Sequence, residues 1–425
     1  MIFSTAVSAG QDHGWTYLTT LEAHADIADA PPGHRYQNYG LAMNADVLAV
    51  GVPRYEDGGD VHGAVYLFSR HDGGYIASIK PTDTPPELVR FARDIQMDET
   101  TLYVQSASYE NGDTSAGIIG SHVQAFDLTT GDLLWTTFAP SESFNTLSLA
   151  LSDRYVVTRT QSFEDEWGHV IDKQTGQLLR AIPVPSDALG EWATTAMVRD
   201  GTAYIVVEDR ATVYEISLDT AEVLATWVIF PDFTSGTETQ FAGDGAGFVT
   251  SVTSYPDNCG YGELYATDAA TRTRGDAYEQ PVMEIPEYLR LGVSGSQAFA
   301  EMRSGTACDD DDLHYIHVFG RTDRSHIGEL FAWDGGNPRE FIVDYDTFVM
   351  TTYAGDISEI MIYKRDSDEP ACPADTNADG ELTPADFNAW VIALNNQTAA
   401  CDQNGDGLCN PADFNAWVIN FNTGC

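Results

Sequence analysis

Short apolar runs bounded by turn residues dominate the first 366 positions of this chain. One such run recurs seven times: VLAVGVP from Val47, TLYVQSA from Thr101, RYVVTRT from Arg154, TAYIVVE from Thr202, GFVTSVT from Gly247, QAFAEMR from Gln297 and TFVMTTY from Thr347. The spacings are 54, 53, 48, 45, 50 and 50 residues. Each run reads as a strand. A shorter strand precedes it, as in LAMNA at Leu41 and TAMVR at Thr195, and a third follows: AVYLF at Ala64, HVQAF at His122, HVIDK at His169, TVYEI at Thr212, ELYAT at Glu263, YIHVF at Tyr315 and EIMIY at Glu359. A fourth can be traced at Tyr75, Leu133, Leu178, Val223, Thr273 and His326.

A period of this length with three or four strands per unit predicts a seven-bladed β-propeller over residues 11–366. The seventh unit ends at Tyr363 without a fourth strand, while WTYLTTLEA, from Trp15 to Ala23, has no unit of its own. That orphan is expected to complete blade seven and close the ring, which removes open sheet edges. The expected fold class is mainly β: a propeller closed by an N-terminal strand, with a small α-helical domain after it.

The period changes after a short linker, residues 367–371. From Cys372 to Cys425 one unit occurs twice, 27 positions apart, each a polar loop running into a helical pattern. Phe387, Trp390 and Val391 share one helical face, and Phe414, Trp417 and Val418 repeat it. Calcium takes six to eight oxygen ligands, which a twelve-residue loop supplies from positions 1, 3, 5, 7, 9 and 12. In the first loop these are Asp375, Asn377, Asp379, Glu381 (backbone), Thr383 and Asp386; in the second, Asp402, Asn404, Asp406, Leu408 (backbone), Asn410 and Asp413. Gly380 and Gly407 stand where the chain must turn sharply, and Pro384 and Pro411 suit a first helical turn. The segment holds seven acidic residues and no Lys, Arg or His, so its folding is expected to be coupled to two calcium ions.

Asp rather than Glu at position 12, and no entering helix before Asp375, distinguish the pair from an ordinary EF-hand. Together with the Gly424-Cys425 ending they resemble a GC-type dockerin-like module, over residues 372–425 alone. The resemblance implies calcium-dependent attachment to a cohesin-like or cell-surface protein. Positions 10 and 11, where cohesin-binding dockerins commonly carry hydroxyl residues, are Pro384-Ala385 and Pro411-Ala412.

Blade one resembles an FG-GAP repeat through Tyr39-Gly40, Gly51-Val52-Pro53 and Ala64 to Phe68. Asp127 to Trp135 and Asp172 to Gly176 resemble quinoprotein-like repeats, though their T-G pairs read as ordinary hairpin turns. No vicinal cysteine pair is present.

Composition narrows the partners. The formal net charge is −44, with lysine only at positions 80, 173 and 364. Such a surface repels nucleic acid and anionic membranes. No stretch of 18 apolar residues occurs, so no membrane-spanning helix is expected. Residues 1–10 resemble the end of a signal peptide, with Ala6 to Ala9 as a cleavage site, which implies secretion. Six cysteines then favour disulfides. Cys259 and Cys308 are expected to pair in the large domain. Cys372, Cys401, Cys409 and Cys425 allow three pairings, and the dockerin resemblance implies Cys372–Cys425 with Cys401–Cys409.

Candidate chemistry in the propeller is diffuse. Tyr55, Tyr109, Phe163 and Tyr255 fall eight or nine residues into the second-strand units, among acidic residues, and would share one face. They would suit stacking on a sugar or gripping a cationic peptide; the alternative is that each packs under its own loop, as loop aromatics usually do. Asp309 to Asp312 reads as a solvated loop. His314 and His317, three apart on a strand, point to opposite faces. The resulting expectation is a secreted binding protein whose propeller recognises a protein or polysaccharide. The alternative is a polysaccharide-degrading enzyme, a lyase or glycoside hydrolase, carried by the same tail.

Overall fold

The computed structural model describes the strands, two helices and most of the tight turns. Residues 1–14, 22–39 and 366–373, and most of the longer loops, lie outside the described residues. Twenty-eight strands, numbered in chain order, form seven four-stranded antiparallel sheets. Six blades use four consecutive strands each. The seventh uses β26 (Asn337–Asp344), β27 (Thr347–Ala354), β28 (Ile357–Arg365) and β1 (Trp15–Thr20). Trp15 lies opposite Arg365 and Thr20 opposite Met361, so the N-terminal strand closes the ring as expected.

The innermost strands are β2 (Leu41–Met43), β6 (Leu88–Met97), β10 (Ser148–Leu151), β14 (Ala193–Arg199), β18 (Thr237–Asp244), β22 (Pro286–Ser294) and β26. Each packs against the next, and β26 packs against β2. Seven hydrophobic clusters occupy the seven junctions between neighbouring blades. This explains why the second strands read as unbroken apolar runs. Successive side chains point to opposite faces, and both faces of a blade are covered. In β3 (Val47–Asp57), Leu48 and Val50 join the cluster shared with blade seven, while Ala49 joins the one shared with blade two. Each fully buried aliphatic or aromatic side chain contributes about 1.5–3 kcal/mol.

The turn from third to fourth strand is one device used repeatedly. A left-handed residue stands in it at Gly73, Gly131, Gly176, Ala221, Arg272 and Arg324, with φ of 73°, 74°, 71°, 59°, 56° and 59°. Asp127 accepts bonds from the Thr129 and Thr130 N–H groups, and Asp172 from those of Gln174 and Thr175. The T-G segments are thus hairpin turns. At Gly176 a Cβ would also lie 2.6 Å from the Trp135 ring.

In the tail, α1 (Pro384–Asn396) and α2 (Pro411–Thr423) each begin at the expected proline. Trp390 and Trp417 are buried between them, in ring contact with Phe387 and Phe414. Cys401 and Cys409 form a disulfide with Cα atoms 5.5 Å apart. Cys259, Cys308, Cys372 and Cys425 lie outside the described residues.

Candidate functional site

The aromatic face is only partly described. Tyr55 lies in β3 opposite His62 of β4 (Asp60–Ser69), and Tyr109 ends β7 (Thr101–Tyr109) opposite Ile118. Phe163 and Tyr255 lie outside the described residues. In blade one the second and third strands are joined by a tight connection. Its β3 and β4 remain paired to Asp57 and Asp60, while β2 reaches only Val50 and β5 (Tyr75–Ile79) only Val65. The hairpin therefore continues past β2 and β5 as a two-stranded ribbon, whose base lies against β6 of blade two, where a Cβ on Gly63 would stand 1.9 Å from the Phe91 carbonyl oxygen. At about 3.3 Å per residue, the stretch from Val52 to Asp57 extends roughly 16 Å. Along it stand Arg54, Tyr55, Glu56 and Asp57, then Asp60 and His62.

The inner ring carries charge that the sequence reading did not single out. Asp94 in β6 reaches blade three, accepting the Leu149 N–H at 2.5 Å, and also accepts the Ile95 N–H at 2.9 Å. Glu340 in β26 repeats the device at the closing junction, accepting the Gly40 N–H at 3.1 Å. Arg290 in β22 pairs at 2.5 Å with Glu301, whose side chain is wholly buried. Burial raises the Glu340 carboxyl above its ordinary range, against the opposing effects of the Gly40 N–H, the Arg290 charge and the Leu41 N–H. Asp94 and Glu340 tie neighbouring blades together at the inner ring, while Arg290 and Glu301 pair within blade six.

Two buried histidines also became visible only in the fold. His169 is held by Glu166, Nε2 to Oε2 at 3.0 Å, and burial lowers its pKa despite that carboxylate. His317 Nδ1 sits 2.9 Å from His326 Nε2, and burial, with the His326 ring, lowers it to about 3. Both imidazoles are therefore neutral at ordinary pH. His326 lies across the hairpin on the fourth strand, nine residues away, so no spacing rule along one strand could pair it with His317.

The scarce cations sit at blade junctions. Arg70, 5% exposed, follows the third strand of blade one and reaches blade seven. It donates to Asp344 at 2.7 Å, Asp346 at 2.5 Å, the Thr347 hydroxyl at 2.8 Å and the Asn44 carbonyl at 2.7 Å. Lys364 joins it on Asp346 at 3.1 Å. Lys173 occupies the same position in blade three and reaches Asp98 of blade two at 2.9 Å. Leu128 and Leu218 fill it in blades two and four, packed into the cluster of the preceding junction. Arg272 holds Glu215 of blade four through both carboxylate oxygens, at 2.8 and 2.9 Å. Burial would raise the Asp346 carboxyl, but the Thr347 hydroxyl and the Arg70 and Lys364 charges prevail and hold it below its ordinary range.

In the tail, Asp375, Asn377, Thr383, Asp386, Asn410 and Asp413 are described; Asp379, Glu381, Asp402, Asn404, Asp406 and Leu408 lie outside the described residues. Asp386 and Asp413, the twelfth loop residues, are both 0% exposed. Each carboxylate caps its helix and ties back the start of its loop. Asp386 accepts from the Thr383 N–H at 2.8 Å and the Asn377 N–H at 3.4 Å. Asp413 accepts from the Asn410 N–H at 2.8 Å and the Gln403 N–H at 3.0 Å. These are capping boxes built on Thr383 and Asn410. Two carboxylates thus turn inward in a segment whose sequence holds no cationic side chain. Burying charge without a counter-charge is costly, and a cation bound by the loop oxygens would supply one. The hard oxygen donors present suit calcium.

No family model matches the chain, and no curated protein matches it. Solved structures do. The WD40 domain of Pan2 from Neurospora crassa is similar with a TM-score of 0.50 and 11% identity, over 83% of this chain and 95% of that one. The β-propeller domain of Cps50 (Swd1) from Myceliophteria thermophila is similar with a TM-score of 0.53 and 12% identity, over 82% and 99%. A chain of the mitotic checkpoint complex gives 0.51 and 12%, over 86% and 98%. At these identities the likeness is one of fold. The chain contains a seven-bladed β-propeller.

Proposed function

We propose that the chain is a two-part binding protein: the propeller recognises a protein or polysaccharide, and the tail attaches it, with calcium, to a cohesin-like or cell-surface partner outside the cell. The observation that carries the first part is the ribbon of blade one. It runs past β2 and β5 of its own blade with Tyr55 along it, and paired strands can present such residues at low entropic cost. Propellers of this architecture occur in multiprotein assemblies such as the mitotic checkpoint complex, which favours a protein ligand. The second part rests on the inward-turned Asp386 and Asp413 in loops rich in oxygen donors. Asp375, Asn377, Asp379, Thr383 and Asp386, with the Glu381 carbonyl, would hold one ion. Asp402, Asn404, Asp406, Asn410 and Asp413, with the Leu408 carbonyl, would hold the other.

Calorimetric titration of the full chain with calcium tests the tail, with two ions per chain expected; uptake of one or none refutes this reading. Capture of cell-surface proteins and glycans in the presence of a chelator, where the tail is disabled, tests the propeller. Replacing Tyr55 and Tyr109 by Ala should weaken that capture and leave the melting temperature nearly unchanged. A fall in stability of more than about 2 kcal/mol per site would make them loop anchors instead.

A further inference from the structure

The two tail units hold each other at the loop entrances. Trp390 Nε1, on α1, donates to the Cys401 carbonyl at 3.2 Å, and Trp417 Nε1, on α2, donates to the Ala374 carbonyl at 3.1 Å. Ala374 and Cys401 immediately precede Asp375 and Asp402, the first residues of the two loops. The entrance of each loop is therefore fixed by the helix that leaves the other. Trp417 Nε1 also lies 3.2 Å from Thr376 Oγ1, within the first loop. Both indoles are buried, Trp390 at 3% and Trp417 at 6% exposure, so water does not compete for these bonds.

The units differ in one covalent respect. The Cys401–Cys409 disulfide joins the residue before the second loop to its eighth position. The matching residues of the first loop are Ala374 and Leu382, which cannot be crosslinked. A loop already closed gives up fewer conformations when it takes up an ion.

We propose that the second loop is the leading, disulfide-dependent calcium site, and that Trp417 passes its order to the first loop. This rests on the calcium reading above. Loading the second loop fixes Asp413 and with it the start of α2. The ordered α2 presents Trp417, whose indole pins the Ala374 carbonyl, so the first loop binds from a partly arranged state. Trp390 on Cys401 makes the coupling reciprocal, as linkage requires.

Calcium calorimetry on the full oxidised chain tests this. Two unequal steps are expected. Asp402→Ala should remove the tight step and weaken the remaining one by about 5–150-fold, the usual range of coupling between sites. Asp375→Ala should remove the weak step and leave the tight step close to its original affinity, because in the unaltered chain the second loop also fills while the first is empty. The double variant Cys401→Ser/Cys409→Ser should weaken the tight step at least tenfold. Trp417→Phe, which keeps an aromatic ring but loses the N–H, should weaken the second step while two ions still bind. The inference is overturned if two ions bind with the same affinities in the cysteine double variant as in the unaltered chain. It is also overturned if Asp402→Ala removes the weaker step and leaves the tight one. That comparison needs no change in the aromatic core, so a misfolded Trp417 variant does not leave the question open. If the unaltered oxidised chain takes up no calcium, the calcium reading itself fails, a result distinct from two uncoupled sites.

Discussion

Two single residues carry the chemistry of ring closure. Arg70 converges on two carboxylates, a hydroxyl and a carbonyl across the junction of blades one and seven. Its partners Asp344 and Asp346 are partly exposed, so screening limits what each bond contributes. Arg70→Ala is expected to cost about 1–3 kcal/mol in a denaturant titration. Because Asp346 titrates below its ordinary range, the contribution of this clasp is present above the ordinary aspartate pKa of 3.8 and is lost as pH falls through the lower folded value. Glu340 behaves in the opposite sense. Its folded pKa lies above the ordinary 4.5, so at lower pH folded and unfolded states are both protonated and no penalty arises. As pH rises through the raised value, the fold must carry a charge it disfavours, and stability drops. Glu340→Gln keeps an acceptor for the Gly40 N–H and removes that charge. Thermal melts at pH 4 and pH 8 should show the variant at least as stable as the unaltered chain at pH 8, with a smaller difference between the two pH values.

At the scale of elements, β1 is separated from its partner β28 by most of the chain, yet it supplies one quarter of blade seven and buries Trp15 against Phe299 and Phe348. Trp15 Nε1 also donates to Gln297 of blade six at 2.8 Å. Deleting residues 1–24 should therefore expose the β28 edge, lower the melting temperature and broaden the transition. A melting curve like that of the intact chain would contradict closure as a source of stability. The repeated third-to-fourth turn offers a smaller test. Ala221 holds φ of 59° where blades one, two and three have glycine. A left-handed conformation costs an L-residue about 1–2 kcal/mol, of which the greater freedom of unfolded glycine returns roughly half. Ala221→Gly should raise stability by up to about 1 kcal/mol in the same denaturant assay.

For the whole molecule, 65 acidic side chains face 21 basic ones, several of which are committed to inter-blade clasps. The uncompensated charge repels itself over a distance set by the ionic strength, with a screening length of about 30 Å at 0.01 M and 8 Å at 0.15 M. The melting temperature should rise as sodium chloride increases across that interval, even though the individual clasps weaken. A flat or falling dependence would mean that the clasps outweigh the general repulsion.

The seven-unit period and the closing role of the strand that begins at Trp15 were legible in the chain, because each blade buries two faces and so marks its second and third strands with apolar runs. The two tail helices were legible for a related reason: a proline and a cap occupy fixed offsets, and Asp386 and Asp413 serve the cap. What no spacing could reveal was contact between units. Arg70 meets Asp344 and Asp346 only because the ring brings its two ends together, and Lys173, Leu128 and Leu218 share that position with different chemistry. Glu340 and Arg290 gain their environment from neighbouring inner strands. Trp390 and Trp417 stand on matching helical positions in the sequence, but that each bonds the entrance of the opposite loop follows from the packing of the two helices. Local sequence sets which element forms and which faces are apolar; the electrostatics of buried groups and the crossing bonds between repeats depend on neighbours in other units, from tens of residues away in the tail to about 300 at the ring closure, and only the closed ring and the paired tail helices decide them.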